Sequence, residues 1–148
     1  MFRFILIVAL SITCIKSSAG LSAIKESKAE KILLVTVSET GLITVGKDMV
    51  SSDDLARYIQ ERLFKSYMGT GLMHNKITLV KEEPHTPDVV IEVVMKEIKA
   101  GQKRALTELC LQKHKKLFDN LNSRQQEKLR KQFPVLFQEP FITDNVTR

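Results

Sequence analysis

The hydrophobic period changes several times along the chain. Ile32 to Val37 (ILLVTV) is a six-residue run of β-branched and apolar residues and predicts a strand. Ser38-Glu39-Thr40-Gly41 is a turn, and Leu42 to Val45 (LITV) predicts a second strand, paired with the first as an antiparallel hairpin. Gly46-Lys47-Asp48 turns again. The period then lengthens, because Leu55, Tyr58, Ile59 and Leu63 fall on one face of a helix. Ser51 opens that helix, with Asp54 at the capping-box spacing. Gly69 and Gly71 break the pattern, and residues 66–76 are expected as a loop.

Ile77 to Val80 predicts a third strand, followed by a charged turn. Thr86 is the expected cap of the next helix, and Pro87 suits its first position. Val90, Ile91, Val94, Met95 and Ile98 make one apolar face. So many β-branched residues form helix poorly alone, so this helix needs a sheet to pack on. Gly101 is its expected end. Ala105 to Leu111 (ALTELCL) then predicts a fourth strand, although Leu106, Leu109 and Cys110 also fit a helix. Lys113 to Leu121 is expected to be helical. Arg124 to Phe133 predicts a further helix, with Ser123 and Gln126 at capping spacing and Pro134 as its stop. Leu129, Phe133, Leu136 and Phe137 form a sparse stripe that can dock on the domain, and the last ten residues are expected as a loose tail.

The predicted order is β-β-α-β-α-β. It describes a small α+β sheet with two helices on one face, plus a C-terminal helical extension. A small sheet leaves edges that invite another chain. The candidate partner-strand contacts are Leu33, Val35 and Val37 on the first strand and Leu106 and Leu109 on the last.

Charge adds a second candidate surface. The chain carries a net charge of +6, and Gln102 to Lys131 has nine Lys or Arg against three acids, so nine minus three accounts for all of it. Lys113, Lys115, Lys116, Arg124, Lys128, Arg130 and Lys131 are the candidate contacts to an anionic surface, either peptidoglycan or anionic lipid. A solvated helix face would carry the same charges. Phe118 and Phe133 in this segment read as core anchors, so nucleic acid is not an expected partner.

The N-terminus changes the expected compartment. Arg3, the uncharged run Phe4 to Ile15 and Ser17-Ser18-Ala19 have the parts of a secretory signal cleaved near Gly20, with an uncleaved single-pass anchor as the alternative. The expected divisions are a signal or anchor over 1–20, a polar linker over 21–31, a folded domain over 32–111 and a basic extension over 112–148. With Cys14 removed, Cys110 is left as a buried, inert thiol.

Chemistry-bearing patterns are weak. His74, His85 and His114 fall on different predicted elements without metal-ligand spacing. Asp53 and Asp54 suit a helix first turn, and Glu82 and Glu83 a solvated turn. No phosphate loop or nucleophile motif is present, so neither catalytic residues nor a cofactor is expected.

The runs VTVSETGLITVGKDMVSSDDLARYIQERL and ITLVKEEPHTPDVVIEVVMKEIKAGQKRALTEL resemble the periplasmic domain of the ExbD/TolR family of biopolymer-transport proteins, over about residues 32–110. The likeness lies in the order of a strand, a Gly turn, a short strand, a Ser/Asp-capped helix, an apolar strand with a following charge (Val80-Lys81), and a helix with Val94-Met95 and a closing Ala100-Gly101. The resemblance implies a homodimer at the inner membrane, working with an ExbB/TolQ-like channel, an ExbD-like subunit or a TonB/TolA-like transducer, and in some members binding peptidoglycan. Family members carry a membrane helix with a proton-carrying Asp. Phe4 to Ile15 has no acid, so an accessory role is expected in place of the proton-carrying one.

Overall fold

The computed structural model describes residues 31–139 and 141. The run Phe4 to Ile15 and the expected cleavage site lie outside them. The elements are β1 (Ile32–Val37), β2 (Ile43–Val45), β3 (Asp48–Val50), α1 (Ser52–Thr70), β4 (Lys76–Lys81), α2 (Asp88–His114) and α3 (Ser123–Gln132). Single 3-10 turns follow at Phe118–Asn120 and Pro134–Phe137. The α+β class holds, with a four-stranded mixed sheet, helices packed on it and a C-terminal helix.

The sheet order is β3-β2-β1-β4. β1 pairs antiparallel with β2 and parallel with β4, and β2 pairs antiparallel with β3. Strand alternation sorts the side chains. Leu33, Val35, Val37, Ile43, Val45, Ile77 and Leu79 are buried on one face, beneath Leu55, Ile59 and Leu63 of α1 and Ile91, Val94 and Ile98 of α2. Ser51 caps α1 as expected: its Oγ accepts from the Asp54 amide at 3.2 Å.

Several expectations are overturned. Asp48–Val50 is a strand, too short to announce itself between turn residues. α1 continues to Thr70, and Gly71 ends it in the left-handed conformation (φ 69°). Thr86 does not cap α2. Its hydroxyl donates to the Glu83 carbonyl at 2.9 Å, and Pro87 is the capping residue.

The largest correction is at Gly101, which does not end a helix. It lies within α2 where α1 crosses closely, and a Cβ there would come within 2.7 Å of the Ala56 carbonyl oxygen and 2.8 Å of Ile59 Cβ. The glycine serves interhelix packing. Ala105–Leu111 is therefore helix, with Ala105, Leu109 and Cys110 buried on the inward face of α2. The expected helix over 113–121 is replaced by the end of α2, a left-handed Lys115 (φ 56°) and a 3-10 turn. The capping box of α3 is Asn122–Gln125, one residue earlier than the expected pair.

The expected boundary at 111/112 falls inside α2. Leu121, Leu129, Phe133, Val135, Leu136 and Phe141 join the same buried cluster as the sheet. Phe141, expected in a loose tail, is almost fully buried.

Candidate interaction surfaces

The sheet edges differ from expectation. β1 lies inside the sheet, with β2 on one side and β4 on the other. Leu33, Val35 and Val37 face the core, so they cannot meet a partner strand. Leu109 is buried within α2 and Leu106 is half-buried there. The reason is the same in both places: these residues supply the apolar face between sheet and helices.

The outer strands are β3, three residues long, and β4. The C-terminal segment covers the β4 edge. The Ile77 amide donates to Gln138 Oε1 at 2.7 Å, and Gln138 Nε2 donates to the Ile77 carbonyl at 2.7 Å. The Leu79 amide donates to the Phe141 carbonyl at 2.9 Å. Buried Gln102 fixes this strap by donating to the Val135 carbonyl at 2.6 Å. A side-chain amide and one backbone carbonyl thus take the place of a fifth strand. Such covering is how small sheets avoid unwanted pairing.

The outer face of the sheet has no layer on it among the described residues. Ile32 and Leu34 of β1 and Met49 of β3 are exposed there, beside Thr36, Thr44 and Thr78. The Thr36 and Thr44 hydroxyls hydrogen-bond across β1 and β2. This face is uncharged at its centre and mixed apolar and hydroxylic.

The basic residues are all exposed but differently engaged. Lys113 lies over the Tyr67 and Phe133 rings at 5.1 and 4.8 Å. Arg130 lies over Phe118 and Phe137 at 5.3 and 4.6 Å. These two cations brace the extension against the domain. Lys131 pairs with Glu127 at 2.7 Å in an exposed contact. Lys115, Lys116, Arg124 and Lys128 form no ion pair among the described residues.

One polar cluster was not foreseen. Tyr58 and Arg62 of α1 both hydrogen-bond the Asp48 carboxylate, and Arg62 Nε donates to the Tyr58 oxygen at 2.8 Å. The bond from Tyr58 and the bonds and charge of Arg62 hold Asp48 below its ordinary value. A cleft of about 500 Å³ beside it is lined by Tyr58, Glu61, Arg62, Lys65, Ser66 and His74. Burial pushes the His74 imidazole down, helped by the charges of Lys31 and Arg62. The i,i+4 spacing of Tyr58 and Arg62 is visible in the sequence, but Asp48 there reads as a turn residue. The arrangement ties β3 to α1 and contains no nucleophile aligned with a base.

Among the described residues no group of His, Cys, Asp and Glu converges as a metal site. No helix among them is long and apolar enough to cross a membrane. Cys110 is a buried free thiol whose proton affinity burial raises. No protein-family model matches the chain, and no curated protein matches it.

Proposed function

We propose that this chain is a non-enzymatic, ExbD/TolR-like periplasmic component or accessory of a proton-motive-force-coupled biopolymer-transport system, working through protein–protein contacts at the inner membrane. The observation that carries the reading is the outer sheet face, centred on Leu34 and uncovered among the described residues, on a sheet whose helices pack on the other side. The order of hairpin, Ser51-capped α1, β4 and α2 supports the family likeness, while the added strand β3 and the continuation of α2 through Gly101 to His114 depart from it. A second copy of this chain docks on that face, and an ExbB/TolQ-like channel or TonB/TolA-like transducer is the further partner. Light scattering of the full chain is expected to give twice the chain mass, and Leu34→Asp to give the monomer with an unchanged circular dichroism spectrum. Affinity capture is expected to recover a channel or transducer subunit. A monomeric wild type that recovers neither would contradict the proposal.

A second reading is an envelope-polymer binding domain, favoured by exposed Arg124 and Lys128 one turn apart on α3. Sedimentation with purified peptidoglycan at low salt tests it, and no co-sedimentation there removes it.

A further inference from the structure

α1 and α2 run in the same direction. Ala56 lies against Gly101, Gln60 Nε2 donates to Glu108 at 2.8 Å, and Gln112 Nε2 reaches Met68 Sδ at 3.5 Å. Both helices therefore end at one pole of the molecule. The starts of β1 and β4 lie there too: Lys31 Nζ donates to Thr70 at the end of α1, and the Asn75 amide donates to the Lys31 carbonyl.

This pole combines two properties. Met68 (56% exposed), Leu72 (41%), Leu111 (44%) and Leu117 (47%) present large apolar side chains to solvent at or just past the two helix ends. Around them cations outnumber acids. No Asp or Glu occurs between Glu61 and Glu82 or between Glu108 and Asp119, whereas Lys76, Lys113, Lys115 and Lys116 fall within those stretches and Lys31 adjoins them. Of the flanking acids, Glu61 pairs with Lys65 and Glu108 accepts from Gln60, while exposed Asp119, two residues past Leu117, forms no ion pair among the described residues.

Cations at helix C-termini are favoured by the helix dipole whatever lies outside, so charge alone would carry little. The dipole does not call for exposed leucines. Apolar side chains ringed by lysines are what an anionic bilayer surface binds, with the apolar groups entering the headgroup region and the lysines facing the lipid charge. The chain outside the described residues points the same way. Residues 1–30 leave from Lys31, at this pole, so the uncharged run Phe4 to Ile15, where it is retained as an anchor, tethers this same pole to the bilayer.

We infer that this pole is a membrane-docking surface for anionic lipid, which sets the domain on the bilayer with its helix C-termini inward. The inference is independent of the family resemblance and of any protein partner. It takes lipid, rather than peptidoglycan, as the anionic surface, because a glycan strand gives Leu72 and Leu117 no apolar phase to enter.

The test uses the full chain in a Cys14→Ser background, with an environment-sensitive fluorophore on Leu111→Cys or, separately, Leu117→Cys. A Thr40→Cys label at the opposite pole is the control. Vesicles are phosphatidylcholine with and without phosphatidylglycerol. Blue-shifted emission at 111 and 117, but not at 40, is expected only with phosphatidylglycerol. The double reversal Lys76→Glu/Lys116→Glu is expected to weaken partitioning at least about 25-fold, at about fivefold per lysine charge removed. The fluorophore, unlike simple co-flotation, separates docking of this pole from binding by the N-terminal run. Equal shifts at 40 and 111, no shift at either labelled leucine while the chain floats with vesicles, or full binding by the double reversal would each overturn the inference. Sedimentation with peptidoglycan and no shift on vesicles would also overturn it, in favour of a polymer-binding surface.

Discussion

The two poles of the helix layer differ in the sign of their charge and in what surrounds it. At the helix N-termini, carboxylates work inside the fold. Asp54 receives the Ser51 hydroxyl at 3.0 Å and pairs with Arg57 at 2.8 Å. Asp88 pairs with Lys81 at 2.9 Å, and Glu83 accepts the Glu39 amide at 2.7 Å, joining the hairpin turn to the loop after β4. At the helix C-termini, Lys76, Lys115 and Lys116 form no ion pair among the described residues. The helix dipole accounts for both signs. It does not account for the four exposed apolar side chains that lie beside the unpaired lysines. The N-terminal pole carries exposed Leu42 and Val89, but among acids. The contrast separates charge that holds the fold from charge available to a partner.

The most severe way to break both poles is to separate the helices that create them. Gly101→Val puts side-chain atoms against the Ala56 carbonyl and Ile59, and is expected to lower unfolding free energy by about 3 kcal/mol in urea denaturation. At the acidic pole alone, Ser51→Ala removes the cap that accepts the Asp54 amide and should cost about 1 kcal/mol by the same measurement. Acid sharpens the contrast further. The folded-state value of His74 lies below its ordinary 6.5, so the unfolded chain takes up the proton first. Stability from the neutral imidazole is present above about pH 6.5 and falls as pH drops toward the lowered folded value. A urea series across that window is expected to show the fall, and His74→Gln to flatten it. Smallest of all, Lys116→Ala should change stability by less than about 0.5 kcal/mol, because the side chain is exposed and outside any ion pair here. A loss approaching that of Ser51→Ala would show that the basic pole is structural after all.

Much of the fold was legible because local signals agreed. β1, β2 and β4 were marked by β-branched runs, and α1 by Ser51 with its 3- and 4-residue stripe. Failures came where one residue type served two purposes. Gly101 at the end of an apolar stripe looks like a stop, but its role is set by a helix distant in sequence. A stop at Gly101 makes Ala105 to Leu111 the start of a new element, although its Leu106, Leu109 and Cys110 spacing also suits the helix it continues. The strap over β4 was invisible for a related reason: Gln138 copies backbone hydrogen bonding with a side chain, which no period reveals. The basic residues could be counted from sequence. Their placement beside Met68 and Leu72 could not, because it depends on α1 and α2 ending together. The acid-free stretches 62–81 and 109–118 are separate in sequence and meet only in the fold.

Hydrogen exchange on the unmodified full chain, with and without vesicles containing phosphatidylglycerol, tests the difference between the poles most directly. Slower exchange is predicted for amides in 69–75 and 112–120, with 38–42 and 82–87 unchanged. Protection spread equally over both poles, or confined to residues before Lys31, would contradict the assignment of the basic pole as the docking surface.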